Sequence, residues 1–174
     1  MKKQIISDII KTLIYAALVL AVSLTGAVTP LGDGAYIHLG DAMIYAAVIL
    51  VPIKICMPAA VIGSVLADLM LGSYNYILFT AVIKALTVLF AFWVSKKSDK
   101  PAVQDLLISL SGIVTVLGYF IAELVLGFLK GDAFGFATEL IMYNTLQALA
   151  CAALYMIASG FIRMFISKKE QIKQ

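Results

Sequence analysis

Charge is what this sequence has least of. Only 13% of its residues are Asp, Glu, Lys or Arg, where a soluble domain carries about a quarter. Water is therefore not its main solvent. A single histidine and two distant cysteines, Cys56 and Cys151, cannot supply a zinc site, and the cysteines read as buried packing residues. The chain has no HExxH, no Gly-rich phosphate loop ending in Lys-Ser/Thr, and no Ser–His–acid set of credible spacing. It is not expected to hydrolyse ATP, to act as an enzyme or to carry a cofactor. Nor does the net charge of +3 point to nucleic acid, because the basic residues gather at the ends and in particular loops, the pattern that orients a membrane protein.

What the chain does have is apolar length. Six runs emerge, Ile9–Val28, Asp41–Ile53, Met57–Leu71, Tyr74–Val94, Leu106–Phe128 and Ala137–Ile166. A spanning helix needs about 20 mostly apolar residues, and barrel strands would alternate instead of running continuously. The expectation is an all-α integral membrane protein, a six-transmembrane-helix bundle forming one membrane-embedded domain over residues 1–174. The second and third runs are short and joined by VPIKICMP, whose Pro52 and Pro58 suit a tight connection better than a helix interior. The sixth is longer than a bilayer needs and is expected to emerge into the aqueous phase. The first reads as a retained helix, since Asp8 and Lys11 break up its beginning and its apolar stretch exceeds the roughly 7–15 residues of a signal core.

Lysine and arginine orient the bundle. Lys2, Lys3 and Lys11 precede or open the first run, Lys54 lies between the second and third, and Lys96, Lys97 and Lys100 lie between the fourth and fifth. Arg163, Lys168, Lys169 and Lys173 end or follow the sixth, while the opposite loops hold only Lys130, balanced by Asp33, Asp132 and Glu139. Both termini are therefore expected to be cytoplasmic. GAYIHLGDA at Gly34–Ala42, which holds the only histidine, would face outward.

Ionisable groups inside spans are costly and usually face a cavity or a partner. With this topology Asp68, Lys84, Glu123, Asn144 and Gln147 all fall at or above the midplane. Helical spacing groups Thr80, Lys84 and Thr87 on one face, Gly112, Thr115, Tyr119 and Glu123 on another, and Tyr143, Asn144 and Gln147 on a third. Hydrogen-bonding groups mixed with aromatic surface are the usual lining of a small-molecule site. A structural Lys84–Glu123 ion pair is the plainer alternative, and Asp68 has the plainer role of capping the loop at Gly72–Ser73. On the first helix Ala17 and Ala21, continued by Thr25, form a small-xxx-small stripe that lets another helix approach, whether from this chain or from a partner.

The pattern as a whole resembles the substrate-binding S components of energy-coupling factor (ECF) vitamin transporters. Besides six short spans, it rests on ALVLA at Ala17–Ala21, YIHLGDA at Tyr36–Ala42, GSVLADLMLGSYNY at Gly63–Tyr76 and the lysine of VIKAL at Lys84. YIHLGDA is similar to the branch that carries pyridoxine-like and hydroxymethylpyrimidine-like vitamins. The resemblance implies a vitamin-binding subunit of an ATP-driven importer in the bacterial plasma membrane. Its partners would be a membrane scaffold T subunit gripping Ala17 and Ala21, and two cytoplasmic ATPases. Tyr36 and His38 would close over the vitamin from the outer loop, and Asp41 would cap the second helix. The candidate substrate-binding set is Tyr36, His38, Lys84, Tyr119, Glu123, Tyr143, Asn144 and Gln147. Uses for both Lys84 and Glu123 would favour pyridoxine over hydroxymethylpyrimidine. The competing classes are an intramembrane enzyme and an assembly protein without a solute site.

Overall fold

The computed structural model describes residues 2–25 and 37–171, with side chains through residue 168. Its elements are α1 (Lys2–Thr25), α2 (Gly40–Leu50), α3 (Ile53–Met70), a 3₁₀ turn (Tyr74–Tyr76), α4 (Ile77–Ser95), α5 (Pro101–Ser109), α6 (Gly112–Lys130) and α7 (Ala133–Gln171). No strand occurs among the described residues. Five stretches are long and apolar enough to cross a membrane, namely Lys2–Thr25, Ile53–Met70, Tyr74–Ser95, Pro101–Lys130 and Ala133–Lys168. The second expected span differs. It is the apolar α2 of 11 residues, about 16 Å long and half a membrane at most.

Two further details depart from expectation. The Pro101–Lys130 stretch is broken at Leu110–Ser111, where the Ser111 N–H bonds back three residues to the Ile108 carbonyl at 3.0 Å, a local tightening that separates α5 from α6. Pro58 lies inside α3, not in a connection. Membrane helices tolerate such prolines where neighbouring groups or water satisfy the freed carbonyl, and here the residue involved is Lys54, one turn earlier and largely exposed. Pro52 does sit in the connection, as the extended residue preceding α3.

Two polar clusters fasten the lysine-rich end of the bundle. Lys54 at the start of α3 pairs with Asp8 near the start of α1. Arg163 of α7 donates to both Asp105 oxygens and to Gln104 of α5, and Gln104 reaches the Ser95 carbonyl at the end of α4. Above them lies an apolar core that includes Tyr45, Ile55, Cys56, Val88, Ile108, Cys151 and Tyr155, both cysteines being buried and free. Tyr155 bridges core and cluster, with its ring edge-on to Tyr45 and its hydroxyl donating to Asp105 at 2.8 Å.

Close packing of α1 on α3 turns on Gly63. A Cβ there would stand 2.6 Å from the Ala16 carbonyl oxygen and 2.8 Å from the Val19 Cβ. Ala16, Val19 and Ser23 are thus the inward face of α1, and Ala17 and Ala21 are exposed on the other side. Gly63→Ala should lower the apparent melting temperature in detergent, since overpacking costs about 1–3 kcal/mol. An unchanged melting curve would mean that α1 is free to shift away.

Candidate ligand-binding site

The half-length of α2 sets the geometry. Its first turn lies level with Lys84, about two turns into α4, and with Gln147, about four turns into α7. Asp41 and His38 therefore stand near the middle of the bundle, not at its rim. Gly40 makes room for this entry: a Cβ on it would stand 2.2 Å from the Ser23 hydroxyl.

Lys84 and Asp41 are both fully buried and paired, Nζ to Oδ1 at 2.6 Å. The second Asp41 oxygen accepts from the Thr115 hydroxyl at 3.1 Å, and Thr115 and Thr87 hydroxyls meet at 3.2 Å. The Lys84 ammonium also stands 5.2 Å from the centre of the Tyr119 ring. This corrects two expectations. Lys84 pairs with Asp41 and not with Glu123, and Asp41 is no helix cap, because Leu39 occupies the cap position. The physical reason is register. As the second residue of α2, Asp41 projects inward, where a buried lysine is a better partner than backbone N–H groups.

His38 takes over part of the capping. Its Nδ1 accepts from the Gly40 N–H at 3.2 Å, and its Nε2 lies 3.5 Å from the side-chain nitrogen of Gln147. The His38 backbone N–H donates to Gln147 Oε1 at 2.9 Å, and the Cys151 thiol approaches the His38 carbonyl. Gln147 and His38 are buried together. Tyr36 lies outside the described residues.

On the side of this layer away from the lysine-rich end stand the remaining candidates. Thr80 and Tyr119 share a hydroxyl contact at 3.1 Å, and the Tyr119 ring is tilted against Tyr76 at 6.2 Å. Tyr143 packs on the same small aromatic cluster. Glu123 is 2% exposed. Its Oε1 accepts from Asn144 Nδ2 at 2.8 Å, while Oε2 is buried with no partner among the described residues. A buried carboxylate oxygen left without a donor costs at least what an unsatisfied polar group costs, about 1–3 kcal/mol. Asp68, also buried, accepts the Ser73 N–H on its backbone carbonyl at 2.8 Å and so closes the turn after α3.

Of the sequence candidates, Lys84, Tyr119, Glu123, Asn144, Gln147 and His38 are thus gathered about one mid-bundle layer and the space beyond it. Asp41, Thr115, Thr80 and Tyr76 join them. The signal for Asp41 was present, an acid opening an apolar run that holds no cation of its own.

A sequence model of the ECF-type riboflavin transporter S component family matches residues 3–163. The chain belongs to that family. No curated protein and no solved structure matches it. It is accordingly a membrane-embedded, multi-pass transport component and not a member of an enzyme family.

Proposed function

We propose that this S component is the high-affinity binding subunit of an ATP-driven importer, with both termini cytoplasmic and the half-bundle beyond Asp41–Lys84 open to the outside. Its ligand is a small nitrogen-heterocyclic vitamin, delivered to a scaffold T subunit and two cytoplasmic ATPases. The observation that carries this reading is the unpartnered Oε2 of buried Glu123 beside Asn144. A ligand N–H would satisfy it, and an adjacent ligand acceptor would take the second Asn144 N–H. Tyr119 and Tyr143 would flank the ring, and Tyr36 would join from the segment before His38.

The pairing of Lys84 with Asp41 leaves only Glu123 of the two charges whose joint use favoured pyridoxine. What remains is an acceptor beside a donor. That edge complements the amide-type N–H and carbonyl of riboflavin, the vitamin in the family's name, and the amidine edge of hydroxymethylpyrimidine better than it does pyridoxine. Mass spectrometry of small molecules released from the denatured protein, followed by titration calorimetry with all three vitamins, separates them.

Glu123→Gln keeps size and removes charge. Losing a hydrogen bond to a charged group costs about 1.5–3 kcal/mol, so the variant should bind roughly 10- to 150-fold more weakly with its melting temperature preserved. Wild-type affinity in both Glu123→Gln and Asn144→Ala would mean that the pair only stitches α6 to α7.

A further inference from the structure

A second feature lies on the outer surface of the bundle, away from the vitamin site. Leu86, Leu89, Phe90 and Trp93 of α4, with Val114 of α6, line an apolar groove of about 370 Å³. It runs about 10 Å along α4 toward the lysine-rich end. Where it ends, Lys97 holds its ammonium 4.4 Å from the centre of the Trp93 ring, and Trp93 is itself 57% exposed and tilted against Phe90. The connection that follows carries Lys96, Lys97 and Lys100, all exposed, against the single acid Asp99.

We propose that this groove is a binding site for one anionic phospholipid. An apolar trough alone would accept any acyl chain. The discriminating element is the cationic mouth, since lysines clustered where a helix leaves the bilayer attract anionic headgroups. Trp93 suits the boundary, with an apolar ring for the chain and an N–H for the headgroup region. Lys97 lies along that ring with its charge at headgroup level. The acyl chain fills the groove past Phe90 to Val114, and the phosphate sits among Lys96, Lys97 and Lys100. The site is independent of the vitamin-binding reading.

Trp93 is the only tryptophan in the chain, so its fluorescence reports the occupant directly. The full-length protein would be reconstituted in phosphatidylcholine vesicles containing a low, equal mole fraction of either brominated phosphatidylglycerol or brominated phosphatidylcholine. The brominated anionic lipid should quench Trp93 severalfold more effectively. Lys97→Gln should cut that preference by about fivefold, judged within the variant as the ratio of the two lipids. Lys3→Gln, on α1, should leave the ratio unchanged. Equal quenching by the two lipids in the wild-type protein would overturn the proposal. An equal loss in Lys3→Gln would also overturn it, because the preference would then come from overall surface charge and not from a site.

Discussion

Asp41→Ala should destabilise the bundle by about 3–5 kcal/mol, the usual result of removing one partner of a buried ion pair. Lys84 has no exposed surface. Without Asp41 its ammonium keeps the face of Tyr119, 5.2 Å away, which is a poor substitute for a carboxylate at 2.6 Å. Thr115 would lose its acceptor as well. The pair nevertheless contributes less to net stability than this loss suggests. Bringing two charges out of water costs several kcal/mol per ion, and apolar replacements of similar size are often neutral or better. The double variant Asp41→Leu/Lys84→Met should therefore recover most of the stability lost by Asp41→Ala. Thermal unfolding in detergent, followed by size exclusion, gives both comparisons. A single variant as stable as wild type, or a double variant as damaged as the single, would show that the pair is not the pin of this layer.

The two outcomes also separate fold from function. If the Asp41–Lys84 layer is the floor of the vitamin site, the double variant should fold and yet bind poorly, because the floor has lost its polarity and the entry of α2 its anchor. The floor is needed because α2 is short. A full-length second helix would fill the outer half of the bundle with side chains, leaving Glu123 and Asn144 to face apolar groups.

Heights in the bundle were legible in the sequence and pairings were not. Counting residues from the ends of apolar runs put Lys84, Glu123, Asn144 and Gln147 within a few turns of one another, since helical rise is fixed at about 1.5 Å per residue. Periodicity also put Thr80, Lys84 and Thr87 on one buried face, as they are. What spacing along single helices cannot supply is the rotation of one helix against another, and the plainer alternative for Lys84 named the wrong acid for that reason. The run beginning at Asp41 is visibly short, but its length was read as a thin span and not as a helix that starts in mid-bundle. Pro58 misled because its cost depends on the carbonyl one turn back, whose surroundings belong to tertiary structure. Glu123 was found for its depth and its helical face, and its unpartnered oxygen became visible only once Asn144 was seen to hold the other.

Ala21→Trp should abolish vitamin uptake in cells while leaving both folding and vitamin binding by the isolated chain intact. The separation follows from the two faces of α1. Ala16, Val19 and Ser23 face inward and are buried, with Ala16 and Val19 packed so tightly on α3 that Gly63 has no room for a methyl group. Ala17 and Ala21 face the other way and are exposed. A tryptophan at position 21 would meet lipid, at little cost to the fold. It would, however, fill the shallow strip that lets a second helix approach closely, since small residues four apart bring backbones together where large ones hold them off. Under the proposed function the approaching helix belongs to the scaffold subunit, and without it no ATP-driven step reaches the binding subunit. Ala16→Trp is the contrasting control and should fail to fold, because it drives an indole into the α1–α3 contact. The measurements are melting temperature and calorimetric affinity on the purified variant, and labelled-vitamin uptake in cells that express the complete transporter. Wild-type uptake by Ala21→Trp would remove this strip from the partner interface, and loss of binding with loss of folding would assign it to internal packing instead.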